Sequence, residues 1–302
     1  MSIHANTWLC SISFVMMTNI VQAATTEDSD PIWLGIKNSF SLPIKELLIK
    51  PSDNEWRNAL DGVSVRASFT HPLSKTTVTT ASGAQGEPST NDSIQVGLQY
   101  RPLSYWFVSA NFFQYLQPDL QKKSDPDFSY SFGYDDWHPY TLSLSYANSG
   151  GNSLGGKRPA FNEGTWTLGW KAPLPEAVQS LLVTGYGDAM ACGTSVSLTP
   201  QFSDAATSQI KHNKSVWTLG CKYNIIDWWY VNFAVLYYPK KEQQQPWNPD
   251  YTYGFGYFDW HPGQISIQYN NYSGNRFSSS ERAKGTGKFN NGSISIAWSK
   301  SW

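Results

Sequence analysis

Phe128-Ser-Tyr-Ser-Phe-Gly-Tyr-Asp-Asp-Trp-His-Pro139 recurs 123 residues later as Tyr251-Thr-Tyr-Gly-Phe-Gly-Tyr-Phe-Asp-Trp-His-Pro262. Both copies alternate. Phe128, Tyr130, Phe132 and Tyr134 fall on one side of Ser129, Ser131 and Gly133, as Tyr251, Tyr253, Phe255 and Tyr257 fall on one side of Thr252, Gly254 and Gly256. Period two is the mark of a strand whose faces meet different surroundings, here one aromatic and one small. The same shift carries Gly97 to Gly220, Trp106 to Trp229, Tyr146 to Tyr269 and Asn152 to Asn275. After a five-residue insertion, Phe161-Asn-Glu-Gly-Thr-Trp-Thr-Leu-Gly-Trp170 matches Phe289-Asn-Asn-Gly-Ser-Ile-Ser-Ile-Ala-Trp298. Such a repeat reads as a tandem duplication with units at about 62–171 and 192–302.

Alternation extends outward from the motif. Leu142, Leu144 and Tyr146 alternate with serines, Ile265, Ile267 and Tyr269 with Ser266 and Gln268, and Ile94, Val96, Leu98 and Tyr100 with Gln95, Gly97 and Gln99. A soluble sandwich would place Lys and Glu on its polar faces. Gly, Ser, Thr and Gln stand there instead, which suits a narrow lumen, while bulky apolar residues suit lipid and Trp and Tyr near strand ends suit the interfacial girdles. Composition agrees: charged residues make up only 15% of the chain, no more than the aromatics, where a soluble domain carries roughly a quarter. Mean hydropathy is nevertheless −0.42, and no stretch of the mature chain reaches the ~20 apolar residues of a spanning helix. A barrel reconciles the two, since only alternate residues face lipid. The net charge of −1 gives no electrostatic ground for nucleic-acid binding.

Residues 1–23 read as a secretory signal, an apolar run from Trp8 to Val21 followed by Val21-Gln22-Ala23. Residues 24–61 form an N-terminal segment, periplasmic or plugging, with Leu42 to Ile49 patterned as a short amphipathic helix. Beyond it, the expected fold is an all-β, transmembrane antiparallel β-barrel of about twelve strands in two tandem six-strand repeats, near 62–70, 93–101, 105–115, 127–135, 140–147, 163–171, 192–202, 214–223, 228–238, 251–258, 263–270 and 292–302. The chain ends on Ser293-Ile-Ser-Ile-Ala-Trp-Ser-Lys-Ser-Trp302, alternating and closing on an aromatic. This resembles the C-terminal recognition strand of outer-membrane barrel proteins, and over residues 62–302 the chain is similar to that general class. The resemblance implies location in the cell outer membrane, contact with its lipid and lipopolysaccharide, and handover to the barrel assembly machinery through Ser293–Trp302.

Loop lengths sort the ends. The short turns at 102–104, 136–139, 225–227 and 259–262 share one end, expected to be periplasmic, and the long polar connections at 70–92, 147–162 and 271–288 the other. The 172–191 linker is unusually long for its end. Cys192 and Cys221 share the outward parity of their strands, and a hairpin centred near residue 207 sets them almost opposite, so a cross-strand disulfide is open to them.

Candidate sites are few. Asp136, Trp137 and His138, repeated as Asp259, Trp260 and His261, could orient an imidazole for base catalysis or contact a ligand, but Asp and Pro also build turns and Trp anchors interfaces. His71 or His138 with an unidentified Ser is a second catalytic combination. No nucleophile elbow, His-Glu-x-x-His or paired-Cys motif is present, so no metal, cofactor or catalytic residue is assigned. Arg66, Arg101 and Lys222 are expected in the lumen, whose small uncharged lining otherwise suits neutral sugars or filling by residues 24–61. Lys122, Lys123, Lys157, Arg158, Lys240, Lys241, Arg276, Arg282 and Lys284 are loop cations, placed to meet lipopolysaccharide phosphate or simply to form a solvated rim. The leading expectation is a passive, porin-like channel for small solutes, oligosaccharides or exported polysaccharide. An outer-membrane enzyme on lipid or lipopolysaccharide and a structural or assembly component without an open pore are the alternatives.

Overall fold

The computed structural model describes residues 62–75, 89–103, 105–121, 125–136, 138, 140–149, 152–154, 160–173, 190–204, 207–226, 228–259, 261–272, 274–277 and 287–301. The expected signal sequence and N-terminal segment lie outside the described residues, as does most of the 172–191 linker. Among the described residues there are twelve strands: β1 (Val63–Pro72), β2 (Ser93–Leu103), β3 (Trp106–Tyr115), β4 (Phe128–Asp135), β5 (Leu142–Asn148), β6 (Thr165–Pro173), β7 (Ala191–Ser203), β8 (Ile210–Ile226), β9 (Trp229–Tyr237), β10 (Tyr251–Tyr257), β11 (Ile265–Asn271) and β12 (Ser293–Ser301). Each pairs antiparallel with its neighbour in sequence, and β1 pairs with β12 from Ser64↔Ser301 to Pro72↔Ser293, closing the barrel. Closure leaves no edge strand, so the hydrogen-bonded ladders run continuously around the wall, as a membrane interior demands.

Strand by strand, the alternation in the sequence becomes the two faces of the wall. Ile94, Val96 and Leu98 on β2, Leu219 and Trp217 on β8, and Ile265 and Ile267 on β11 are exposed on the outside. Between them Ser68, Ser109, Ser145, Thr167, Ser266 and Gln268 are buried inside. A row of exposed apolar side chains this extensive would be an aggregation surface in water. In hydrocarbon it is the stable arrangement, that of a transmembrane β-barrel. The inner polar side chains bond across strands: Ser109 Oγ lies 2.6 Å from Ser131 Oγ, Gln95 Nε2 donates to Asn111 Oδ1 at 2.9 Å, and the Thr165–Thr199 and Thr167–Ser197 hydroxyls are 2.8 and 2.9 Å apart.

Two features differ from the sequence expectation. First, β8 begins at Ile210 rather than at 214 and is 17 residues long, because it continues its ladder with β7 through Gln201↔His212 to Ser203↔Ile210. Second, the inner face is not uniformly small. Phe107 on β3 and Tyr230 on β9 are buried there and narrow the bore.

The connections also follow the sequence repeat. Gln121 donates to Asp127 at 2.9 Å and Gln244 to Asp250 at 2.7 Å. Asn152 Nδ2 reaches the Asn148 carbonyl at 3.3 Å, and Asn275 Nδ2 the Asn271 carbonyl at 3.2 Å. The Tyr146 hydroxyl donates to the Phe161 carbonyl at 2.6 Å, matched by Tyr269 to Phe289 at 2.7 Å. In each copy the Phe ring stacks on the Tyr ring, with centroids 4.3 and 4.2 Å apart. Tyr146 and Tyr269 share the outward parity of Leu144 and Ile267, so each long connection folds an aromatic ledge against the outer wall, in the position of an interfacial girdle.

Candidate functional site

The lumen is the site. A cavity of about 170 Å³ within it is lined on β6 to β8 by Thr167, Ser195, Ser197 and Thr218, with Lys214 and Lys171 also on its wall. Small hydroxyl side chains on these strands leave space where aromatics would fill it. The β9–β10 connection packs inward over the long-connection end: Gln243 and Gln245 are buried, Gln243 Nε2 donates to the His212 carbonyl at 3.1 Å, and Asn248 reaches the cavity wall. At the same end Lys211 Nζ lies 2.7 Å from Asp204. This lysine, with the Thr207 N–H and hydroxyl, holds the Asp204 carboxyl well below the usual carboxylate range. Across the connections the Leu154 N–H does the same for Asp127, with help from Gln121 and Ser153.

Each expected lumen cation stands on an inward-facing position. Lys222 on β8 places Nζ 4.0 Å from the centre of the Tyr230 ring and 5.1 Å from that of Phe258, a cation–π arrangement favoured where water is scarce. Arg66 on β1 lies within electrostatic reach of Tyr230 and Tyr272 from the other side. Arg101 on β2 lies within reach of Asp135.

Two lumen cations were missing from the sequence expectation. Lys171 on β6 donates to Asp135 Oδ1 at 2.8 Å and to the Asp136 carbonyl at 2.5 Å. Its parity with Thr165, Thr167 and Gly169, opposite Trp166, Leu168 and Trp170, was a legible signal. Lys214, whose ammonium lies 5.0 Å from the centre of the Phe202 ring, opens the strand expected at 214–223 in phase with Lys222, so its signal too was legible. The expectation of a mostly uncharged lumen suited to neutral sugars is corrected accordingly: the lining carries five cations and, among the described strand residues, one acid, Asp135.

The repeated Asp and His residues occupy separate turns, β4–β5 and β10–β11. In each, one carboxylate oxygen accepts the backbone N–H two residues on at 3.0 Å and sits 2.6 Å from the imidazole Nδ1: Asp136 with His138, Asp259 with His261. Tyr105 and Trp228 meet these imidazoles edge-on at 5.8 and 5.3 Å. This is the geometry of a self-closing Asx turn braced by a neighbouring ring. Trp137 and Trp260 lie outside the described residues. His71 pairs with Asp92 at 2.8 Å near the opposite end.

Cys192 and Cys221 are register partners across β7 and β8, with Cα atoms 4.1 Å apart and the sulfurs bonded. Of the loop cations, Lys240 and Lys241 are exposed, but Arg276 is buried, donating to the Gln245 carbonyl at 2.9 Å and to Asp250 at 3.3 Å. It ties two connections together, and its expected place on a lipopolysaccharide-facing rim is withdrawn. Lys122, Lys123, Lys157, Arg158, Arg282 and Lys284 lie outside the described residues.

No family model and no curated protein matches the chain. Among solved structures it is similar to a NanC porin (9% identity, 80% of this chain and 99% of that one, TM-score 0.39). It is also similar to an outer membrane channel from Pseudomonas putida F1 (9%, 84% and 100%, TM-score 0.34), and to the translocator domain of the autotransporter NalP from Neisseria meningitidis (12%, 87% and 91%, TM-score 0.34). Likeness at this level assigns no solute, so function rests on the barrel's own geometry.

Proposed function

We propose that this porin-like outer-membrane barrel is a passive channel for small hydrophilic solutes of about sugar size. The observation that carries the proposal is the hydroxyl-lined cavity of about 170 Å³ inside a closed wall. A barrel serving only as a structural element has no need of such space and would fill it with packed side chains, as small barrels do. The Asp–His pairs support no competing catalytic reading, because each carboxylate is committed to closing its own turn. In this proposal the short-turn end is periplasmic, Ser293–Trp302 is the strand handed to the assembly machinery, and residues 24–61 form a plug or a periplasmic contact. Oligosaccharides or a polysaccharide in export fit the same polar bore.

Planar-bilayer recording of the mature chain tests it. The expected result is discrete, ohmic current steps, with a higher open probability after deletion of residues 24–61 if they plug the bore. A barrel that is silent with and without that segment overturns the channel.

A further inference from the structure

The twelve strands contain a single acidic residue, Asp135, against five inward-facing cations: Arg66, Arg101, Lys171, Lys214 and Lys222. Asp135 is already bonded to Lys171. The other cations do not share it equally. Lys214 and Lys222 are only 6% and 7% exposed, and among the described residues neither has a carboxylate in ion-pair contact. Their ammonium groups face aromatic rings instead, Phe202 for one, Tyr230 and Phe258 for the other. Burying an unpaired ammonium is costly, and an apolar residue at either position would pack the bore at less cost. Charge kept in such a place asks for a counter-charge that arrives from outside.

Their spacing points the same way. Eight residues separate Lys214 from Lys222 on one strand, or about 26 Å along it at the usual rise, so positive charge runs from the long-connection end towards the turns. Arg66 joins Lys222 around Tyr230, and Arg101 and Lys171 continue the series to the short-turn end. Gln268, on the same inner face, adds an uncharged amide to the polar interior. Charged groups in a narrow bore with low-dielectric walls focus the field and select ions by sign.

From this, and resting on the channel reading above, we infer that the lumen is an anion-selective path whose cargo is a small organic anion, a carboxylate-bearing sugar or a molecule of similar size. The cations supply the attraction for the carboxylate, the Ser and Thr hydroxyls of the cavity meet the solute's own hydroxyls, and the ladder passes the charge from one lysine or arginine to the next. Multiple weak sites, rather than one tight one, let the solute leave as well as enter.

The test uses the mature protein in a planar bilayer under a potassium chloride gradient. The expected reversal potential corresponds to chloride permeating about five-fold or more over potassium. Glucuronate is expected to block the chloride current at concentrations where glucose does not. The double variant Lys214→Gln/Lys222→Gln is expected to bring the permeability ratio down about three-fold or more, while its heat-shifted gel mobility confirms a folded barrel. A conducting wild-type channel that is non-selective or prefers potassium overturns the inference and leaves the channel standing. Fluorescence titration of the detergent-solubilised barrel with glucuronate separates the remaining case. A silent barrel that still binds glucuronate, and loses binding in the double variant, keeps the anion site and rejects the channel; a silent barrel that binds neither sugar rejects both.

Discussion

Leu219→Lys will block insertion of the barrel into membranes, whereas the same lysine one residue earlier, Thr218→Lys, will leave an assembled barrel. The two positions are neighbours on β8. Leu219 is 58% exposed on the outer wall, and Thr218 lines the cavity inside. A lysine on the lipid face near the bilayer midplane costs about 2–4 kcal/mol, whereas substitutions in the lumen mainly tune selectivity. Ile267→Lys, on β11 of the same repeat unit and also outward-facing, should behave like Leu219→Lys, and the two together should cost roughly twice as much if the sites are independent. The measurement is the fraction of protein that acquires the heat-modifiable, protease-resistant form in liposomes. In a soluble sandwich the order would be different, because both positions would then be judged by core packing alone.

Gly256→Val will prevent β10 and β11 from pairing. A methyl group at Gly256 would lie 2.3 Å from the Ile267 carbonyl oxygen and 2.8 Å from Gln268 Cα, and both obstacles are backbone. No rotamer change can clear them, so the strands must separate and lose the ladder that runs from Tyr253↔Asn271 to Tyr257↔Ile267. Overpacking against movable side chains costs about 1–3 kcal/mol, and a collision with backbone in the wall should exceed that range. The matching residue of the first copy, Gly133, faces the same obstacle, with the Leu144 carbonyl 2.3 Å and Ser145 Cα 2.7 Å from an added Cβ. Gly133→Val should therefore produce an equal defect, read as loss of the folded band after refolding into detergent. A folded, heat-modifiable Gly256→Val barrel would show that this close approach is not needed for closure.

Much of the wall was readable before the structure because a strand exposes its surroundings in every second residue. Ile265, Ile267 and the intervening Ser266 and Gln268 declare both faces without reference to anything distant, and the short turns declare where the chain reverses. Strand ends were less legible: β8 gains Ile210 to Asn213 from pairing with β7. Lys171 ends β6 in phase with Thr165, Thr167 and Gly169, so its inward position was written in the sequence. Long connections were illegible for a different reason. The stacking of Phe161 on Tyr146, and the burial of Arg276 between Gln245 and Asp250, join residues whose separation has no period. Charge in the lumen likewise emerges only when four strands, β1, β2, β6 and β8, are brought around one axis. Arg66, Arg101, Lys171, Lys214 and Lys222 are scattered along the sequence and are unremarkable until the barrel closes on them.

Adjacent residues of each strand meet opposite surroundings, hydrocarbon outside and a polar bore within. Spin labels placed singly from Ile265 to Asn271 in bilayer-reconstituted protein test it most directly, through collision with dissolved oxygen, which concentrates in lipid, and with a water-soluble nickel complex. The account predicts oxygen maxima at Ile265 and Ile267, a muted one at Tyr269 where Phe289 covers the wall, and nickel contact out of phase at Ser266 and Gln268. Oxygen and nickel profiles that rise and fall together, or low oxygen contact at Ile265 and Ile267, would contradict it.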